Sequence, residues 1–142
     1  MRLRSIEVDV DAATSAVAVG DVDLAFGIDY IQAPVPRNPE VILRVLHTER
    51  FAMATAPGRA GSSGLASLAD SAEHAWVLPP EGTFYGQAMR VACRRAGFEP
   101  MVRHSVTDTA STLSLVAAGV GVAPVTDLML ALRRDGVATV AA

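Results

Sequence analysis

An α/β domain is what this chain predicts, and three features predict it. Strand-like and helix-like segments alternate, the helices end on glycine, and an apolar run at 22–28 reads as a strand covered on both faces. Taking the elements in order, Arg4, Ile6, Val8 and Val10 alternate with Leu3, Ser5, Glu7 and Asp9, which predicts a strand over 3–10 with one partly solvated face. Asp11 opens an Ala/Val helix that stops at Gly20, a residue free to take the positive φ of a helix C-terminus. The strand at 22–28 follows, completing a βαβ unit whose crossover should be right-handed.

Residues 29–40 hold Pro34, Pro36 and Pro39 and read as a loop. Residues 41–46 are strongly β-prone, and 51–56 resume that character after the polar break at 47–50. The stretch 57–64 (PGRAGSSG) reads as a connector, and 65–72 as a short helix. From Trp76 the alternation is regular: a strand at 75–78, a helix at 84–96 capped by Gly97 and a strand at 101–106. A helix at 109–118 then ends on Gly119 before a strand at 120–125, with a last helix at 127–134 and a short strand at 137–140.

The bulk numbers agree with a packed domain. The chain has 142 residues, of which 51% are apolar and 19% charged, a balance far from that of disordered sequences. A net charge of −3 with no basic cluster beyond Arg94-Arg95 and Arg133-Arg134 lacks the electrostatic footprint of a DNA-binding surface. Cys93 is the single cysteine, so no intramolecular disulfide can form, and its place on the apolar face of a helix predicts a packed thiol. No apolar run approaches membrane-spanning length and the start lacks a signal-peptide core, so a cytoplasmic protein without membrane contact is expected.

Enzyme motifs fail on inspection. Gly61-Ser62-Ser63-Gly64 has the wrong spacing and surroundings for a nucleophile elbow. Gly119-Val120-Gly121 follows a helix rather than a strand, which excludes a dinucleotide fingerprint. His47, His74 and His104 stand apart, without zinc-ligand spacing. No catalytic residue, cofactor or metal is expected.

Ligands of open parallel sheets bind beyond the carboxyl ends of the strands. Those ends are Val10-Asp11, Ile28-Asp29-Tyr30, the turn 79–83 and Thr107-Asp108-Thr109. In the turn Pro79-Pro80-Glu81-Gly82-Thr83, Gly82 admits close approach to the backbone and Thr83 is a natural N-cap at a helix start that favours a carboxylate or phosphate. The plain alternative is that Thr83 only caps its helix. Asp108 and Asp11 read more simply as caps than as ligand groups, and Tyr30 could stack on a ligand or cover the loop.

The run TASTLSLVAAGVGVAP at 109–124, with Gly97-Phe98-Glu99-Pro100 upstream and Gly20-Asp21-Val22-Asp23-Leu24-Ala25-Phe26 near the start, resembles the effector-binding region of LysR-type transcriptional regulators. The resemblance covers nearly the whole chain, from Leu3 to Val140. It implies two Rossmann-like lobes, as in type 2 periplasmic binding protein folds, joined by crossing strands at 41–48 and 137–140. On that frame residues 1–48 make a partial lobe one, 49–134 lobe two and 135–142 the return crossing strand. Lobe one is incomplete, lacking its first strand and helix, and the DNA-binding winged helix-turn-helix is absent. The implied effector is a small organic molecule carrying a carboxylate, held between the lobes by Val10, Asp11, Ile28, Asp29, Glu81, Gly82, Thr83, Thr107 and Thr109. The implied assembly is a homo-oligomer, a dimer first of all, with DNA contacted only through the absent domain. Two other classes stay open: a ligand-free dimerisation module, and a hydrolase or transferase on the same architecture.

Overall fold

Trp76, Val77 and Leu78 show how the sheet is built. Successive side chains of a strand leave on opposite faces, and all three are buried, so this strand is covered on both sides. The computed structural model describes residues 2–58, 67–132 and 137–141. Within them lie α1 (Ala13–Ala18), β1 (Ala52–Thr55), β2 (Ala75–Leu78), α2 (Phe84–Arg95), β3 (Met101–Ser105), α3 (Thr109–Ala117), β4 (Ala123–Val125), α4 (Asp127–Leu132) and β5 (Ala138–Ala141), with 3-10 turns at Val10–Ala12 and Ala69–Ser71. The fold is α/β.

The strands run β3-β2 and β4-β1-β5, joined by a parallel bridge between Trp76 and Val122. At that bridge the Val77 N–H donates to the Val122 carbonyl at 2.9 Å and the Val122 N–H to the Ala75 carbonyl at 2.8 Å. β2 and β3 are parallel, while β1 pairs antiparallel with both β4 and β5. One face carries Met53, Trp76 and Leu78 against Ala88, Met89 and Cys93 of α2. The other carries Ala54, Val77, Ala123 and Val125 against Leu113 and Val116 of α3. This double cover is why the central strands read so clearly: β2 and β4 are apolar throughout, while the edge strand β3 alternates exposed and half-buried residues.

The expected elements from 51 onward are present, with shifted ends. Gly97 and Gly119 stop α2 and α3 with φ of +92° and +75°, as expected of helix-ending glycines. The strand expected at 120–125 is shorter, because Gly119 and Val120 finish the helix and regular pairing with β1 starts at Ala123. Of the helix expected at 65–72, residues 67–72 are described and hold the single 3-10 turn Ala69–Ser71, while residues 59–66 lie outside the described residues. Arg133 and Arg134 also lie outside them.

The first fifty residues correct the expectation. The helix after Asp11 forms and gives way to Gly20 at φ +78°. No strand is present at 3–10, 22–28 or 41–48 among the described residues. Leu24, Phe26 and Ile28 are exposed, as are Ile42, Val45 and Leu46, where burial on both faces was expected for 22–28. The physical reason is pairing: a strand exists only beside another that takes its backbone hydrogen bonds, and apolar composition cannot supply that neighbour.

Candidate functional site

The turn between β2 and α2 is built from its backbone outward. Thr83 is extended (φ −91°, ψ 148°) and caps α2, its Oγ1 accepting the Gly86 N–H at 3.0 Å. The same hydroxyl donates to the Pro80 carbonyl at 2.9 Å, so both its hydrogen-bonding roles are used within the turn. Gly86 is required by space, since a Cβ there would lie 2.1 Å from the Pro80 oxygen.

Beneath the turn, Arg90 is buried. Its Nη1 donates to the carbonyls of Pro79 (3.1 Å) and Gly86 (3.0 Å), and its Nε lies 3.2 Å from an oxygen of the exposed Glu81. One guanidinium thereby ties together the end of β2, the first turn of α2 and the carboxylate of the connecting loop. Gly82 is exposed, with open space on the side a Cβ would occupy.

The amino-terminal region reaches this turn through two contacts. The Phe84 N–H, at the first position of α2, donates to Asp11 Oδ2 at 3.1 Å. Tyr30 is buried and stacks on Tyr85 with ring centroids 5.9 Å apart and planes 5° from parallel, and Phe51 stacks on Tyr85 from 5.6 Å. The Tyr85 hydroxyl donates to the Pro124 carbonyl, fixing the stack to β4. Burial pushes the Tyr30 phenol up to about 12, with the Asp11 charge adding to the rise. Burial also raises the Tyr85 phenol, and the nearby Tyr30 adds to that. Neither phenol ionises at neutral pH, so the stack is an uncharged wall.

The expected site residues divide into two groups. Asp11, Glu81, Gly82 and Thr83 surround the start of α2. Asp29 is committed to its own loop, accepting N–H groups from Tyr30 (3.1 Å) and Val35 (2.9 Å) and pairing with Arg37 at 2.6 Å. Partial burial works against its charge, yet the Val35 N–H and the Arg37 guanidinium outweigh that and hold the carboxyl below its usual range. Val10 and Ile28 are exposed, as is Thr107. Thr109 is the first residue of α3 behind the Asp108 cap, whose carboxylate accepts the Ser111 N–H at 2.7 Å and is held low by it.

Tyr85, Phe51 and Arg90 were not anticipated from the sequence. An aromatic pair directly behind an N-cap threonine, and an arginine one turn after the glycine that fits the turn, were the available signals. Cys93 is fully buried as expected, and burial pushes its thiol up to about 11. Away from this turn, an apolar groove of about 510 Å³ is lined by Ile6, Val8, Ala12, Ala16 and Val19, with Ser15 and Asp21 at its edge. Among the described residues no cluster of side chains could hold a metal ion, and no helix is long and apolar enough to cross a membrane.

The sheet order, the paired helices and the chain's own motifs meet in one comparison: the family model described as the LysR substrate binding domain matches residues 1–141. The chain belongs to that family. The transcriptional regulator TfdS of Cupriavidus pinatubonensis is 33% identical over 132 residues, covering 87% of this chain and 41% of the regulator. ShiR of Corynebacterium glutamicum is 31% identical over 114 residues, covering 78% of the chain and 37% of its own length. This LysR domain thus spans about two fifths of the length of the regulators it matches. Among solved structures, the effector-binding domain of BenM with its effector benzoate superposes with a TM-score of 0.75 at 22% identity, covering 96% of this chain and 61% of that one. Full-length CbnR in complex with its target DNA gives 0.75 at 22% identity, covering 94% and 46%. These likenesses establish the shared periplasmic-binding-protein-like fold. The relatives are transcriptional regulators rather than enzymes.

Proposed function

We propose that this LysR substrate-binding domain is a small-molecule sensor, taking an organic effector at the start of α2 and passing the event on through self-association. The supporting observation is the junction itself. Asp11 and Tyr30, from two segments of the amino-terminal region, meet Phe84 and Tyr85, the first two residues of α2, directly after the Pro79–Thr83 turn in which Gly82 leaves the backbone open. Glu81, Gly82 and Thr83 form one wall of the proposed cleft, and Val10, Asp11, Ile28 and Asp29 the facing one. Thr107 and Thr109, at the neighbouring strand end, complete it. The division into a partial lobe at 1–48, a second lobe at 49–134 and a return strand at 135–142 belongs to the same proposal.

The effector is a small carboxylate, in keeping with the benzoate of BenM. The domain acts in the cytoplasm as a homo-oligomer, and DNA is reached only through a separate DNA-binding domain. Thermal melting against a panel of small carboxylates, aromatics and amino acids tests this. A ligand at a hundred times its Kd adds about 2.7 kcal/mol, enough to raise the midpoint by several degrees. The shift should shrink in Thr83→Ala, and an unchanged shift would remove Thr83 from the site.

A second reading, a dimerising module without a ligand, is favoured by one observation. Leu24, Phe26, Ile28, Ile42 and Val45 leave an unusual amount of apolar surface open. It gains if no compound moves the melt while light scattering gives a dimer that Phe26→Ser dissociates. A monomer at all working concentrations would remove self-association from both readings.

A further inference from the structure

The apolar groove of the amino-terminal region has two walls of different period. Ile6 and Val8 line one side and the exposed Glu7 between them does not, which is the alternation of an extended backbone. Ala12, Ala16 and Val19 line the other side, at the spacing of one helix face. About 510 Å³ lies between the walls. Where a helix covers a strand, the side chains of the next strand normally close the space beside it. Residues 3–8 have no such neighbour: among the described residues they join no sheet and make no backbone hydrogen bond. The surroundings are acidic. Residues 5–36 carry Glu7, Asp9, Asp11, Asp21, Asp23 and Asp29 and neither lysine nor arginine. Asp9, Asp11 and Asp29 accept hydrogen bonds from the chain. Asp21, at the edge of the groove, is placed by its N–H donating to the Ala16 carbonyl at 2.9 Å, and its carboxylate has no partner among the described residues.

We propose that this groove is an acceptor site for an extended, basic peptide of another protein. The peptide adds a strand beside residues 3–8, sends alternate apolar side chains between Ile6, Val8 and the α1 face, and sets a lysine or arginine against Asp21. Main-chain hydrogen bonds then supply affinity, and the groove with its acidic edge supplies selectivity. Backbone pairing singles out a peptide, because a small apolar molecule fills the groove but leaves the N–H and C=O groups of 3–8 unpaired. Charge argues against a second copy of this chain. Its own exposed apolar stretches carry acids, Asp23 within 22–28 and Glu40 and Glu49 on either side of 41–46, so like charges would meet. No residue of α2 lines the groove, and the proposal is independent of an effector at the start of that helix.

The test uses the whole chain and a synthetic peptide, acetyl-Lys-Val-Thr-Val-Thr-Val-Lys-amide, with hydrogen exchange read along the protein. At saturation the amides of residues 3–8 should slow by about tenfold or more. The same peptide with its internal amides N-methylated keeps its side chains but cannot pair as a strand, and should leave 3–8 unprotected. Glutamate in place of both lysines should weaken binding about tenfold. Val8→Asp, which sets a carboxylate in the apolar wall, should weaken it by about tenfold or more. Asp21→Asn, at an exposed position, should weaken it by about two- to fivefold and carries the test if Val8→Asp does not fold. Equal protection by the N-methylated peptide, no protection of 3–8 by the lysine peptide, or an affinity that neither substitution changes would overturn the proposal. So would protection of 3–8 that grows with protein concentration alone, which would give the groove to a second copy.

Discussion

The two ends of this chain have similarly apolar sequences and very different fates. Residues 75–78 and residues 22–28 both read as strands, the second as one covered on both faces. The first is β2, with Trp76 and Leu78 at 0% exposure between α2 and α3, while in the second Phe26 stands at 78%. What separates them is company. β2 has β3 on one side and Val122 on the other to take its backbone hydrogen bonds, and a helix above and below to take its side chains. Residues 22–28 have no strand beside them among the described residues. Hydrophobicity marks a segment for burial, and pairing decides whether burial happens.

The comparison can be broken by substitution. Trp76→Ala should cost about 3–5 kcal/mol in denaturant unfolding, whereas Phe26→Ala should stay within about 0.5 kcal/mol of wild type in the monomer. Similar losses at both sites would mean that residues 22–28 are as well packed in solution as β2. Gly86→Ala probes the junction, because the new Cβ collides with the Pro80 carbonyl. A loss of about 1–3 kcal/mol is expected, with the circular dichroism of the remaining sheet and helices kept. A neutral Gly86→Ala would mean the turn yields freely.

The smallest effect is electrostatic and sits in the loop after residue 28. The folded Asp29 carboxyl titrates below its unfolded value, so the unfolded chain binds more protons in acid. Its contribution is therefore complete above the unfolded carboxylate pKa of about 4 and disappears as pH falls through the lower, folded one. Asp29→Asn should lower stability slightly at pH 7, where the contribution is complete, and flatten the acid limb below that point, so that the two proteins converge in acid. An acid limb identical to wild type would show that the Arg37 pair contributes nothing.

Legibility followed the same division. From 51 onward most elements were legible, because α2 and α3 end on glycines with positive φ at 97 and 119 and β1, β2 and β4 are buried on both sides, whereas the helix expected at 65–72 is a single 3-10 turn in its described part. The helix after Asp11 was legible for the same local reason, with Gly20 at its end. The strands expected at 3–10, 22–28 and 41–48 were misread because β-propensity is local and a pairing partner is not. At the site the cap at Thr83 was readable, but Asp11 reads as a cap of the helix it opens, whereas α1 has no side-chain cap and the Asp11 carboxylate accepts the Phe84 N–H of α2, 73 residues further on. The stacking of Tyr30 on Tyr85 and the tie from Arg90 to Glu81 also join segments whose contact no spacing rule encodes.

Amide hydrogen exchange along the chain, with and without the panel compound giving the largest melt shift, tests the central claim most directly. The account predicts that added protection falls on residues 10–12, 28–30 and 79–86 together, with the β2 and α3 amides already slow in the free protein. Protection confined to the apolar groove at 6–21, or spread evenly over the chain, would contradict an effector site at the start of α2.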